Sequence, residues 1–183
     1  MGYINIKLPN KKNSMLIGIA LVVGLLVVGM IFLLNRPRTF GNEYYTFEYP
    51  LNWNLQAALQ GEASVTLITG TAIESAGVIA VYKSDLPTID NSAEAYANSE
   101  IDYHSENLAD FKLIDLEQIT SGKQDYPSFT YSYTEPAGRT LQQKVTIIVK
   151  DGEVYSIQYF AVPALFSQHL QAYMQVVNSF SIN

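Results

Sequence analysis

The chain has no cysteine, only one tryptophan and only two histidines in 183 residues. Lack of cysteine excludes a disulfide, a thiolate nucleophile, a lipoprotein-type lipidation site and any cysteine-based metal site. Charged residues are scarce too, at 15%, while 13 tyrosines and 8 phenylalanines indicate a packed fold rather than a disordered tail. No Walker loop, HExxH helix or EF-hand loop is present. The Gly-x-Ser-x-Gly elbow is missing as well: "IESAG" comes nearest at Ser75, with Ile73 where the first glycine should stand. No internal repeat or low-complexity tract interrupts the chain.

Acids are absent from the first 39 residues, where Lys7, Lys11, Lys12, Arg36 and Arg38 give a charge of +5. All 17 acids lie in residues 40–183 against six bases, a net −11. Phosphate backbones repel a domain of that sign, which argues against nucleic acid as a partner.

What the chain does have is a long apolar run, Met15 to Leu34, "MLIGIALVVGLLVVGMIFLL", twenty residues without a charge. As a helix rising about 1.5 Å per residue, it matches the roughly 30 Å hydrocarbon core of a bilayer. A cleaved signal peptide has a shorter apolar core, about 7–15 residues, followed by a small-x-small site. Here the run exits through Ile31-Phe32-Leu33-Leu34-Asn35-Arg36 without one. The reading is therefore a cytoplasmic segment at 1–14, a transmembrane helix at 15–34, a linker at 35–41 and an extracytoplasmic domain at 42–183. Three lysines and the α-amine before the run, against Arg36 and Arg38 after it, favour this orientation by the positive-inside bias. Seven extended linker residues reach about 25 Å, so the domain is expected to work at the membrane. Its partners are then the lipid bilayer and another membrane protein or complex.

Beyond the linker, Tyr45, Phe47 and Tyr49 alternate with polar residues as in a half-buried strand. Pro50 ends it, Leu51-Asn52 turns, and Trp53 starts a return, which reads as a first hairpin. "ASVTLIT" (63–69) and "GVIAVYK" (77–83) read as strands. Asn91 with Glu94 resembles a capping box, and Ala93, Ala97, Ile101 and Leu108 mark one face of a helix over Ser92–Ala109. Strands follow at 112–119 and 127–134. Then "TLQQKVTIIVK-DG-EVYSIQYFAV" predicts a hairpin, because both positions of an Asp-Gly turn take positive φ. That register sets Lys150 opposite Glu153 and Ile148 opposite Tyr155. Consecutive Ile147, Ile148 and Val149 put apolar side chains on both faces, as in a sheet covered on two sides. Pro163 opens a terminal helix whose buried face is Phe166, Leu170, Tyr173, Val177 and Phe180. The fold class is α+β: a transmembrane helix followed by an antiparallel sheet of six to seven strands with helices on both faces.

With these elements in order, the chain resembles the PsbP-like family, named for an extrinsic lumenal protein of photosystem II. The likeness rests on the aromatic strand with "YPLNW" (49–53), on "DGEVYSIQY" (151–159) and on "VVNSFSI" (176–182), and spans residues 42–183. It implies an α/β/α sandwich and a non-enzymatic accessory role, docking on and stabilising a membrane complex. Photosynthetic members bind through a basic, flexible N-terminal segment; this chain has the apolar run in that place.

Candidate chemistry is sparse. Glu100 and His104, one helical turn apart, form a two-ligand metal half-site or a histidine beside a surface carboxylate. Asp102 and Glu106 share a helix face and repel each other mildly, a repulsion that calcium or another divalent cation would relieve. These four belong to an acidic stretch, Asp90 to Glu117, whose single base is Lys112. The stretch reads either as a solvated face or as a cation- or small-ligand-binding module. His169, between Phe166 and Leu170, reads as a semi-buried structural histidine, and Tyr96, Tyr103 and Tyr173 as core or rim. No catalytic residue and no cofactor is expected.

The anchor makes the first prediction. Intact mass of the membrane-extracted protein should retain residues 15–34, and alkaline carbonate should leave it in the pellet. A mature N-terminus beyond Leu34 contradicts this.

Overall fold

Alternating burial and turn chemistry place ten strands and, beyond residue 36, two helices in the computed structural model, which describes Gly24 and residues 36–56, 63–69, 76–87 and 92–183. In chain order they are β1 (Arg38–Gly41), β2 (Tyr45–Tyr49), β3 (Asn54–Gln56), β4 (Ala63–Thr69), β5 (Gly77–Asp85), α1 (Ala93–Asn107), β6 (Ala109–Ser121), β7 (Gln124–Thr134), β8 (Thr140–Lys150), β9 (Glu153–Ala161), α2 (Pro163–Ser179) and β10 (Ser181–Ile182). The expected membrane helix at 15–34, Gly24 apart, lies outside the described residues, as do Ser75, Asp90 and Asn91. Among the described residues no helix is long and apolar enough to cross a membrane.

The larger sheet has seven strands in the order β3-β4-β5-β9-β8-β7-β6, every pair antiparallel. Its centre is the Asp-Gly hairpin, in the expected register: Lys150 opposes Glu153 and Ile148 opposes Tyr155. Asp151 and Gly152 both have positive φ, 54° and 81°. The pleat then sorts the consecutive isoleucines to opposite sides. Ile147 joins Phe129, Tyr131, Val145 and Val154 in a core under α1. Ile148 joins Tyr155, Ile157 and Tyr159 in a larger core under α2. Each face of the sheet therefore carries a helix.

A second sheet of three strands, β1-β2-β10, was not foreseen. It corrects two expectations. Residues 38–41, read as the end of the linker, form β1 and pair with β2. The opening stretch is not a hairpin either: β2 bonds to β1 and β10, whereas β3 bonds to β4 in the large sheet. Pro50 ends β2, and the Trp53 N–H donates to the Pro50 carbonyl at 3.1 Å as the chain crosses between sheets. The Asn42 side chain closes the β1–β2 turn by accepting from the amides of Tyr44 and Tyr45, both at 2.9 Å. Tyr45 and Phe47 lie buried against Phe180 at the end of α2, at ring distances of 5.2 and 6.5 Å.

The acidic helix is shorter than expected. Ser92, not Asn91, caps it, its hydroxyl accepting from the Ala95 amide at 3.1 Å. Leu108 is already extended, so Ala109 begins β6. Strands β6 and β7 run longer than the sequence implied, because Gly122 at φ 65° lets the chain reverse tightly between them.

Contacts beyond apolar burial fix α2 to its sheet. The Tyr173 hydroxyl, fully buried, bonds to Thr146, whose hydroxyl reaches Ser128 at 3.2 Å; Ser128 in turn donates to the Val145 carbonyl at 2.8 Å. Tyr159 donates to the Phe166 carbonyl at 2.7 Å. At the start of α2, His169 packs edge-on to Trp53, with ring centres 5.9 Å apart. Gly77 leaves them room: a Cβ there would sit 3.1 Å from both the Trp53 ring and the His169 ring, so a larger residue would require the rings to shift. Trp53 is only 2% exposed. Trp53→Ala should therefore cost about 3–5 kcal/mol, read as a lowered denaturant midpoint at unchanged slope. A loss below about 1 kcal/mol would contradict the packing described.

Candidate functional site

On α1 the small and apolar residues turn toward the sheet. Ala93, Tyr96, Ala97, Ile101 and Leu108 pack on the core of Phe129, Tyr131, Val145 and Ile147. Glu94, Asn98, Asp102 and Glu106 are exposed on the outer side. The chain then enters β6, the outermost strand of the seven, where Asp110, at φ 53°, lies in an irregularity just after its first residue.

Strand β6 bonds to β7 alone among the described strands. Its register slips twice, between Ala109 and Lys112 and between Leu113 and Asp115; from Asp115 to Ser121 it pairs regularly with Thr130 to Gln124. Register decides which side each residue faces. Leu113 opposes Tyr131 and Leu116 opposes Phe129, so both share the α1 side of the sheet. Lys112, Asp115 and Glu117 oppose Ser132, Thr130 and Ser128 on the α2 side. Helix α1 does not reach far enough to cover the first group. Leu113, Ile114 and Leu116 are 40%, 50% and 55% exposed. Between Leu116 and α1 runs a groove of about 320 Å³, lined by Glu94, Ala97, Asn98, Leu116, Glu117, Gln118 and Pro127. Three neighbouring apolar side chains are thus left partly in water on the edge strand.

Of the four predicted cation ligands, the structure brings two together. Glu100 Oε2 lies 3.5 Å from His104 Nε2, without the geometry of a hydrogen bond. The imidazole is stacked on Tyr131, ring centres 5.0 Å apart, with Tyr103 at 5.7 Å on another side. Asp102 and Glu106 are exposed. Among the described residues no group of three or more His, Asp or Glu gathers around a common point. Two donors fall short of the three protein ligands of catalytic zinc sites and far short of the six oxygens calcium wants. His169 is occupied by Trp53, as a structural histidine is. Tyr173 is core, Tyr96 is half-buried rim and Tyr103 is 61% exposed.

Among the described residues, Lys144 is the one buried base, and it lies on the other side of this edge. Its ammonium bonds to Glu117 and lies 3.3 Å from the Thr130 hydroxyl, so β8 neutralises one of the β6 acids from within. Asp115, next along the same side, is exposed.

The whole defines an α+β fold of the PsbP/Mog1 type, two helices on an antiparallel seven-stranded sheet. No family model matches the chain, and no curated protein is significantly similar in sequence. Solved structures supply the comparison. Cyanobacterial PsbP (CyanoP) from Synechocystis superposes with a TM-score of 0.56 at 15% identity, over 80% of this chain and 92% of that one. LpqN of Mycobacterium tuberculosis, described as involved in cell envelope biogenesis, gives 0.55 at 17%, over 81% and 85%. The Ran-binding protein Mog1p of Saccharomyces cerevisiae gives 0.58 at 10%, over 81% and 96%. At such identities the likeness is one of fold.

Buried tyrosines give the domain a predictable alkaline response. Burial, above all, raises the phenols of Tyr131, Tyr155, Tyr159 and Tyr173, with the carboxylate of Glu153 adding to it at Tyr155. The unfolded chain releases these protons near pH 10 and the folded chain does not. Their contribution is complete below about pH 10 and declines as pH rises beyond it toward the folded values. Phenolate absorbance should then appear in two stages, these four tyrosines ionising only as the protein unfolds. A single reversible titration of all 13 tyrosines in the folded state would contradict their burial.

Proposed function

We propose that this chain is a single-pass, membrane-anchored, non-enzymatic accessory protein, whose PsbP-like domain docks outside the cytoplasm on a membrane protein complex and stabilises it. The observation that carries the reading is the uncovered row Leu113, Ile114 and Leu116 on the long edge strand. A domain that keeps three apolar side chains in water beside a groove gains by covering them, at about 25 cal/mol per Å² buried. The apolar run at 15–34 supports the anchor, through its length and lack of charge. Among the described residues, the Glu100–His104 pair has neither a third ligand nor a hydroxyl hydrogen-bonded to the imidazole, so the site's geometry favours binding over chemistry. Two of the structural neighbours, cyanobacterial PsbP and Ran-binding Mog1p, carry names that fit an interaction module.

Mild non-ionic solubilisation of native membranes followed by sizing tests the reading. The protein should run with stoichiometric partners, and the double substitution L113S/L116S should release it at least tenfold more readily in a detergent wash. The side chains are 40% and 55% exposed, so the variant should stay folded and lose no more than about 2 kcal/mol of stability. A wild-type chain that runs alone would end the proposal.

A further inference from the structure

The two edges of the large sheet are treated differently. At one end β3 is three residues long, too short to template another chain. At the other, β6 runs for thirteen residues with no proline. Its first half is guarded by two register slips, which distort the outward row of N–H and C=O groups. Its second half, Asp115 to Ser121, is regular, and alternate residues there turn their backbone groups away from β7, where no described strand receives them.

Resting on the docking reading above, we propose that the partner engages this edge as an added strand: an extended segment whose side chains alternate between basic and apolar. The pleat dictates the alternation. An incoming strand beside β6 sends every second side chain to the α1 side, next to Leu116, Gln118 and the groove residues Ala97 and Pro127. The remaining side chains go to the α2 side, where they meet the exposed Asp115 and then Glu117, whose carboxylate Lys144 already holds. The apolar set gains cover and the basic set gains the Asp115 carboxylate. Glu94 at the groove rim adds to the same potential, and the −11 of residues 40–183 draws a basic segment from a distance. Backbone bonds supply affinity and the two rows of side chains supply selectivity. A second copy of this chain fits the edge less well, since it would bring the same excess of acid to both strands.

The probe is an acetylated, amidated peptide of alternating lysine and valine, seven residues long, added to the full-length chain in mild detergent. Its control carries the same side chains but N-methyl groups on alternate amides, which abolish strand pairing and leave charge intact. The parent peptide should bind at least tenfold more tightly than the control and slow amide exchange within Asp115–Ser121 at least tenfold. Leu116→Ser should weaken the parent peptide and leave the control unchanged. Equal binding of both peptides would overturn strand addition, as would protection confined to α1. So would self-association of the chain through β6 with no peptide bound. These failures are separable from failure of the docking reading: a chain that still travels with its complex, and is released by L113S/L116S, docks by another geometry.

Discussion

Cover is the limiting quantity in this fold. A sheet whose pleat sends apolar side chains to both faces needs shielding on both. With seven strands about 4.8 Å apart, the larger sheet is about 29 Å wide, whereas one helix with its side chains is about 10–12 Å across. On one face the shortfall is met by α2 together with the three-stranded sheet, whose Tyr45, Phe47 and Phe40 extend the same core. On the other, α1 packs mainly on β7 and β8 and covers the outermost strand only in part, so Leu113, Ile114 and Leu116 stay exposed. The exposed leucines of β6 follow from that arithmetic, and so does the surface on which the functional reading rests.

Polar chemistry on the well-covered face serves position. The run from Tyr173 through Thr146 and Ser128 to the Val145 carbonyl gives each of these three buried hydroxyls a partner, and ties α2 to a defined register on β7 and β8. Lys144 performs a related task for Glu117, holding the root of the edge strand while Asp115 stays in water. Proteins of 10–17% identity share this scaffold. What differs among them is the surface laid over it, and function must be argued there.

Much of the scaffold was legible in the sequence wherever local chemistry determines it. Asp151-Gly152 dictated its turn and hence the pairing of Ile148 with Tyr155, and Ile147-Ile148-Val149 disclosed a sheet buried on both sides. Pro163 and the Phe166–Val177 face disclosed the last helix. What sequence could not show was pairing set by tertiary contact. Tyr45, Phe47 and Tyr49 alternate as a strand whichever partner they take; β10, at the far end of the chain, decides it. The candidate site was half legible. The acidic stretch was recognised by charge, but the apolar members of "KLIDLEQI" read as ordinary strand residues. Their exposure depends on the width of the sheet beneath α1, a quantity that no local pattern contains.

A photo-reactive side chain at position 116, in intact membranes, tests the central claim most directly. The account predicts one dominant cross-linked product from that position and none from Gln171, an exposed site on α2. The same products from both positions, or no product from position 116, would contradict it.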